Sequence, residues 1–198
     1  MSLSPSVYNT FIEILKEELV PAFGCTEPIA IAYCAAKARD LLGALPEQVV
    51  IEASGNIIKN VKSVIVPNTG GLKGIPAAAA AGIVAGNADK VLEVIAEVPD
   101  DKKQEIRTYL EQTAFAVKPL EDGDKLDILI TVSAGFSTAK VRIARHHSNI
   151  VLLEKDGSCL YQAQYKEEAC ALDEADRSCL SVEAIVEFAD SANLEEVT

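Results

Sequence analysis

Residues 126–165 read LDILITVSAGFSTAKVRIARHHSNIVLLEKDGSCLYQAQY, and they decide the fold. Leu126 to Val132, Ala139 to Ala144, Ile150 to Leu153 and Cys159 to Tyr165 alternate or run apolar. Asp122-Gly123 and Asp156-Gly157 supply turn residues around them. Consecutive strands with short turns predict an antiparallel meander.

Upstream the period changes to that of helices. Ser4 as cap and Pro5 at the first helical position open a segment in which Val7, Phe11, Ile14 or Leu15 and Leu19 recur at helical spacing. Pro21 and Gly24 are expected to end it. Thr26 then reads as the cap of a second helix, with Glu27 and Pro28 in a first turn suited to exposed amides. Lys37 and Arg39 suit its other end, before Gly43. Ile29 to Ala32 and Cys34 to Ala36 leave almost no polar face, so this helix should be buried on most sides.

Val49 to Ala53 and Val61 to Val66 read as two short strands, with residues 54–60 as a loop or strand edge between them. Pro76 to Val84 is nearly all alanine and predicts a closely packed helix. Further helical spacing covers Asn87 to Glu97 and Asp100 to Phe115, and a last helix capped by Ser181 carries Ile185, Val186 and Phe188. Helices, two strands, helices and then strands imply an α+β arrangement, with helices packed on a small mixed or antiparallel sheet in one domain.

Thirty acidic against 18 basic residues give a net charge of -12, which repels nucleic acid and acidic lipid surfaces as partners. No uncharged apolar run reaches the ~20 residues of a bilayer span. The start of the chain has neither the basic flank nor the apolar core of a signal peptide, and Met1-Ser2-Leu3 fits an expression scar. Five scattered cysteines lack the short pairs typical of zinc sites and fit a reducing cytoplasm.

Gly24-Cys25-Thr26-Glu27-Pro28 is the most informative segment, because it puts a thiol at the amide end of a buried helix. Partial positive charge there can bring a thiol from about 8.5 down to ~3.5 to 7.5. The same amides can hold a carboxylate, and Gly24 removes bulk beside the sulfur. A buried structural cysteine in a tight turn is the alternative. Asn56 to Asn60 and Pro67 to Gly74 bring amides, a hydroxyl and ammonium groups around glycine turns that an anion could enter. They are not a P-loop, because Lys73 is followed by Gly74. A polar hairpin explains them equally. His146 and His147 stand at the join of two strands, where at most one ring faces a given pocket.

Taken in order, GCTEP at residues 24–28, NIIKN at 56–60, VPNTGG at 66–71 and HSNIV at 147–151 resemble the L-cysteine desulfidase family, related to the iron-sulfur L-serine dehydratases. The resemblance implies a lyase that removes sulfide or water from a small amino acid, giving pyruvate and ammonia. It also implies a 4Fe-4S cluster acting as Lewis acid on the leaving group. The family's proton-abstracting cysteine maps onto Cys25, and Thr26, Glu27, Asn60, Thr69, His147 and Asn149 become candidate substrate contacts.

Members of that family are longer. Their three cluster cysteines lie in a carboxyl-terminal half like the dehydratase α chain, and Cys159, Cys170 and Cys179 do not match that motif. The resemblance therefore implies that residues 1–198 are the amino-terminal domain of a longer or split enzyme, folded like the dehydratase β chain. Such a chain would hold no metal and be inactive alone; its missing half is the expected partner, and a homo-oligomer is compatible. The β-chain fold also resembles the small-molecule domain of some phosphoglycerate dehydrogenases, so an amino-acid-binding regulatory module is the alternative function.

Overall fold

Six strands hydrogen-bond into one mixed sheet in the computed structural model, which describes residues 3–19, 21–163 and 175–197. They are β1 (Gln48–Ala53), β2 (Ala114–Pro119), β3 (Asp127–Ala134), β4 (Ser137–Ala144), β5 (Ile150–Lys155) and β6 (Ser158–Gln162), in the order β2-β1-β3-β4-β5-β6. From β3 to β6 each strand pairs antiparallel with the next, which is the meander expected of residues 126–165. Gln164 and Tyr165, the far end of the fourth apolar run, lie outside the described residues, as do Cys170, Met1 and Ser2.

Register follows from burial of one face. Ile51 pairs with Ile130, Ile130 with Val141 and Val141 with Leu153, so one apolar row crosses four strands. Ile51, Ile130 and Val141 are fully buried. Burying such a side chain contributes about 1.5–3 kcal/mol, and a slip of one residue would send the whole row to the opposite face.

Residues Ala22–Ala163 form one compact unit, with the sheet and four helices. The helix over Thr26–Leu42 (α2) packs on β3 and β4, and the alanine helix over Gly74–Ala85 (α4) packs on α2. Between these two layers α2 has no free side, which is why its sequence lacks a polar face. Gly43 closes it in a left-handed conformation, φ 78°, with its amide on the Arg39 carbonyl. Arg39 in turn donates to the Ile83 and Gly86 carbonyls at the end of α4, tying the two helices at one end.

Four sequence readings are corrected. Residues 55–61 are helical (α3, Gly55–Val61) rather than a loop or strand edge, because Ile57 and Val61, four apart, bury together. Val61 to Val66 is accordingly no strand; Ile65 makes a single bridge to Lys73 and is exposed. Helix α5 (Asp100–Gln112) stops before Phe115, and Ala114–Pro119 becomes β2, parallel to β1. Asn87 to Glu97 contains only a 3-10 stretch over Ala88–Glu93, interrupted where Val91 adopts φ 48°.

The described residues of 1–21 and 164–198 form the second compact unit. The Ser4 hydroxyl accepts from the Val7 amide at the start of α1 (Pro5–Glu18), and Ser181 does the same for Ala184 at the start of α6 (Val182–Ser191). Phe11 stacks on Phe188 at 5.0 Å. Tyr8 donates to Glu196 in the short α7 (Leu194–Val197).

Candidate functional site

The site is built on the first turn of α2. Gly24 turns the chain with φ 90°, and a side chain there would stand 2.8 Å from Pro67 Cγ. The space that glycine leaves beside the thiol is thus taken by Pro67, which brings the VPNTGG segment against GCTEP, rather than being kept for a small molecule. Cys25, not Thr26, occupies the cap position, and Thr26 is the first helical residue, half-buried. The Cys25 side chain is exposed, and its thiol donates to Glu27 Oε2 at 3.2 Å instead of capping the helix.

Glu27 gathers the other groups. Asn60, near the end of α3, donates from Nδ2 to Glu27 Oε1 at 3.3 Å. His147, in the turn between β4 and β5, is half-buried and close enough for its charge to act on Glu27. Three segments far apart in sequence therefore meet at one carboxylate. Two other candidates are engaged elsewhere. Thr69 is fully buried; its hydroxyl donates to the Val66 carbonyl and accepts from the Leu72 amide within its own turn. Asn149 donates to the Ala144 carbonyl and closes the turn that carries His147.

The loop from Pro67 to Gly74 is likewise tied to protein acceptors. Asn68 donates to the Ile95 and Ala96 carbonyls, and Arg107 of α5 donates to the Gly70 carbonyl. These bonds fix the loop against the 3-10 stretch and α5.

Electrostatics reverse one expectation. The helix start was expected to make Cys25 more acidic, yet its thiol is pushed up from its ordinary value. Partial burial is the largest cause, followed by the hydrogen bond to Glu27 and that carboxylate's charge, against a smaller downward pull from the Glu27 amide. Burial and the neighbouring carboxylate together outweigh the pull of the Glu27 amide at the helix start. For Glu27, burial raises the carboxyl, but hydrogen bonds from Cys25, its own amide and Asn60, with the His147 charge, together hold it below its ordinary value. His147 is pushed down by burial and by His146, against an upward pull from Glu27. At neutral pH the site thus rests as a thiol, a carboxylate and a neutral imidazole.

A UPF0597 protein of Desulfitobacterium hafniense strain Y51 is 55% identical to this chain over 190 residues, which are 96% of the chain and 44% of that relative. One from Treponema denticola is 45% identical over 198 residues, the whole chain and 46% of the relative. One from Lachnoclostridium phytofermentans is 43% identical over 191 residues, 96% of the chain and 45% of the relative. The homologues of this chain are UPF0597 proteins. It spans less than half the length of these relatives. No family model and no solved structure matches it.

Among the described residues of this UPF0597-like chain, the cysteines are not gathered as an iron-sulfur cluster would need. Among the described residues no three His, Cys, Asp or Glu side chains group to hold a metal ion. Cys34 is buried inside α2 with its thiol on the Val141 carbonyl, while Cys159 lies exposed on β6 and Cys179 in the other unit. Among the same residues no helix is long and apolar enough to cross a membrane. An open groove of about 550 Å³ runs along α5, lined by Leu45, Val84, Lys102, Glu105 and Tyr109 among others; none of Cys25, Glu27, Asn60 and His147 lines it.

Proposed function

We propose that this chain is the thiol-bearing amino-terminal part of an amino-acid lyase that eliminates sulfide from L-cysteine or water from L-serine. The observation that carries the reading is the exposed Cys25 sulfur at the start of α2, hydrogen-bonded to the Glu27 carboxylate, on which Asn60 and His147 also act. The ordered motifs at residues 24–28, 56–60, 66–71 and 147–151 support it, as does the added length of the UPF0597 relatives, which leaves room for the remainder of such an enzyme.

In this reading Cys25, as thiolate, takes the Cα proton of the substrate. The electron pair of the broken Cα–H bond forms the Cα–Cβ double bond, and the Cβ substituent departs with its own pair. Hydrolysis of the aminoacrylate yields pyruvate and ammonia. Thr26 and Glu27, which follow Cys25 in the chain, and Asn60 and His147, which meet Glu27, are the candidate substrate contacts, whereas Thr69 and Asn149 serve by shaping the loops. A 4Fe-4S cluster, which would act as Lewis acid on the leaving group, belongs in this reading to the rest of the full-length protein, the partner half, and no step here depends on it.

The test is pyruvate formation from L-cysteine and L-serine by the full-length protein, reconstituted with iron and sulfide without oxygen. Cys25→Ala is expected to lower kcat about 100-fold or more, the scale of a lost general base, with an unchanged circular dichroism spectrum. Full activity in that variant would refute the assignment.

A further inference from the structure

The carboxylate of Glu27 is held at both oxygens. Oε2 accepts from the Cys25 thiol at 3.2 Å and Oε1 accepts from Asn60 at 3.3 Å, so residues from two helices fix its plane toward the sulfur. Glu27 is half-buried, and fixing its side chain at both oxygens costs side-chain entropy. What the clamp gains is position: one oxygen is kept 3.2 Å from the sulfur, within reach of its proton.

We propose that Glu27 is the proton partner of Cys25, accepting the thiol proton through Oε2 when the sulfur ionises and returning it when the sulfur is reprotonated. The S–H bond breaks, an O–H bond forms and the electron pair stays on sulfur. The negative charge moves from carboxylate to sulfur, so the pair keeps its total charge throughout. Asn60 is the positioning group, because its amide donates to the oxygen that does not receive the proton. The charges acting on the pair come from Glu27 on α2 and from His147, itself influenced by His146, in the turn after β4; Asn60 on α3 is neutral.

The role within turnover rests on the lyase reading, since there Cys25 must shed the proton taken from each substrate before it can act again. Glu27 resets it. The proton exchange itself does not require turnover and can be followed on the resting protein.

The experiment measures the rate of Cys25 alkylation by iodoacetamide against pH in the full-length protein, resolved by peptide mass spectrometry because other cysteines are present. Wild type is expected to show a midpoint above that of an ordinary thiol, about 8.5. Glu27→Gln should move the midpoint down and speed alkylation several-fold at pH 7.5, while Glu27→Asp should keep the wild-type midpoint. In the lyase assay Glu27→Gln should lower kcat about 100-fold, because the proton taken from each substrate loses its fixed acceptor, and the pH profile of the remaining activity should follow the lowered thiol midpoint. A packing defect would lower activity without moving that profile. An unchanged alkylation midpoint in Glu27→Gln, or an unaltered pH profile of kcat, overturns the proposal. If the midpoint moves while Cys25→Ala retains full lyase activity, the proton pair stands and the lyase reading falls.

Discussion

Replacing Gly82 by alanine should destabilise the protein, although the same change at an ordinary helix position stabilises by roughly 1 kcal/mol. A Cβ at Gly82 would lie 2.0 Å from the Ala32 carbonyl oxygen, 2.7 Å from its carbon and 2.8 Å from its Cα. All three are backbone atoms of α2, so no rotamer relieves the overlap. Ordinary contact begins at 3.4 Å, so α2 and α4 must part by about 1.4 Å at this point. A gap of 0.5–1 Å already forfeits about a quarter to a half of the attraction between facing atoms. The buried alanines of both helices have no long side chains to fill it. Overpacking alone costs about 1–3 kcal/mol; with the lost contact added and the helix propensity gain subtracted, a net loss of about 3 kcal/mol is expected. Urea unfolding followed by circular dichroism measures it. Gly55→Ala, at the start of α3 with nothing within 4 Å of its added Cβ, serves as control and should stay within about 0.5 kcal/mol of wild type or rise above it. A Gly82→Ala midpoint at or above that of wild type would refute the close approach of α2 and α4 at this point.

Two further outcomes are expected. Asp127→Asn should cost about 3 kcal/mol by urea unfolding, since fully buried Asp127 accepts from Arg142 Nε at 2.9 Å and Nη2 at 2.6 Å; a loss below roughly 1 kcal/mol would contradict this. Thermal stability against pH should be highest between about pH 6.5 and 9 as far as the site contributes to it. The folded thiol of Cys25 binds its proton more tightly than the unfolded one, so its contribution is full below the ordinary 9.0 and is lost as pH rises through the folded value. Glu27 and His147 are both depressed on folding, so theirs are full above the ordinary 4.5 and 6.5 and are lost as pH falls through the folded values. In Glu27→Gln the basic limb should shrink and the Glu27 part of the acid limb should vanish. An identical profile in that variant would show that the three groups do not interact.

Much of the secondary structure was legible because it is set by period and caps. Ser4-Pro5, Ser181 and the alternating runs of residues 126–165 each state their element locally. Residues 54–66 misled because Ile57, Ile58, Val61, Val64 and Val66 satisfy both a two-residue and a four-residue spacing over so short a span. Burial of Ile57 with Val61 decides it, and that burial depends on other elements. Likewise Phe115 suits the end of α5 as well as a strand; the free edge of β1 decides that residues 114–119 pair with it.

The sequence by itself determined that this is an α+β protein with a buried helix beginning beside Cys25, because hydrophobic period, capping chemistry and glycine placement act over a few residues. Only the tertiary structure decided the protonation of that cysteine. Glu27 lies two residues away in sequence, but its carboxylate is held beside the sulfur with Asn60 from another helix on its second oxygen, and burial, the largest cause of the thiol's shift, is set by the packing around it. Such electrostatics are set by distance in space, to which sequence separation is blind.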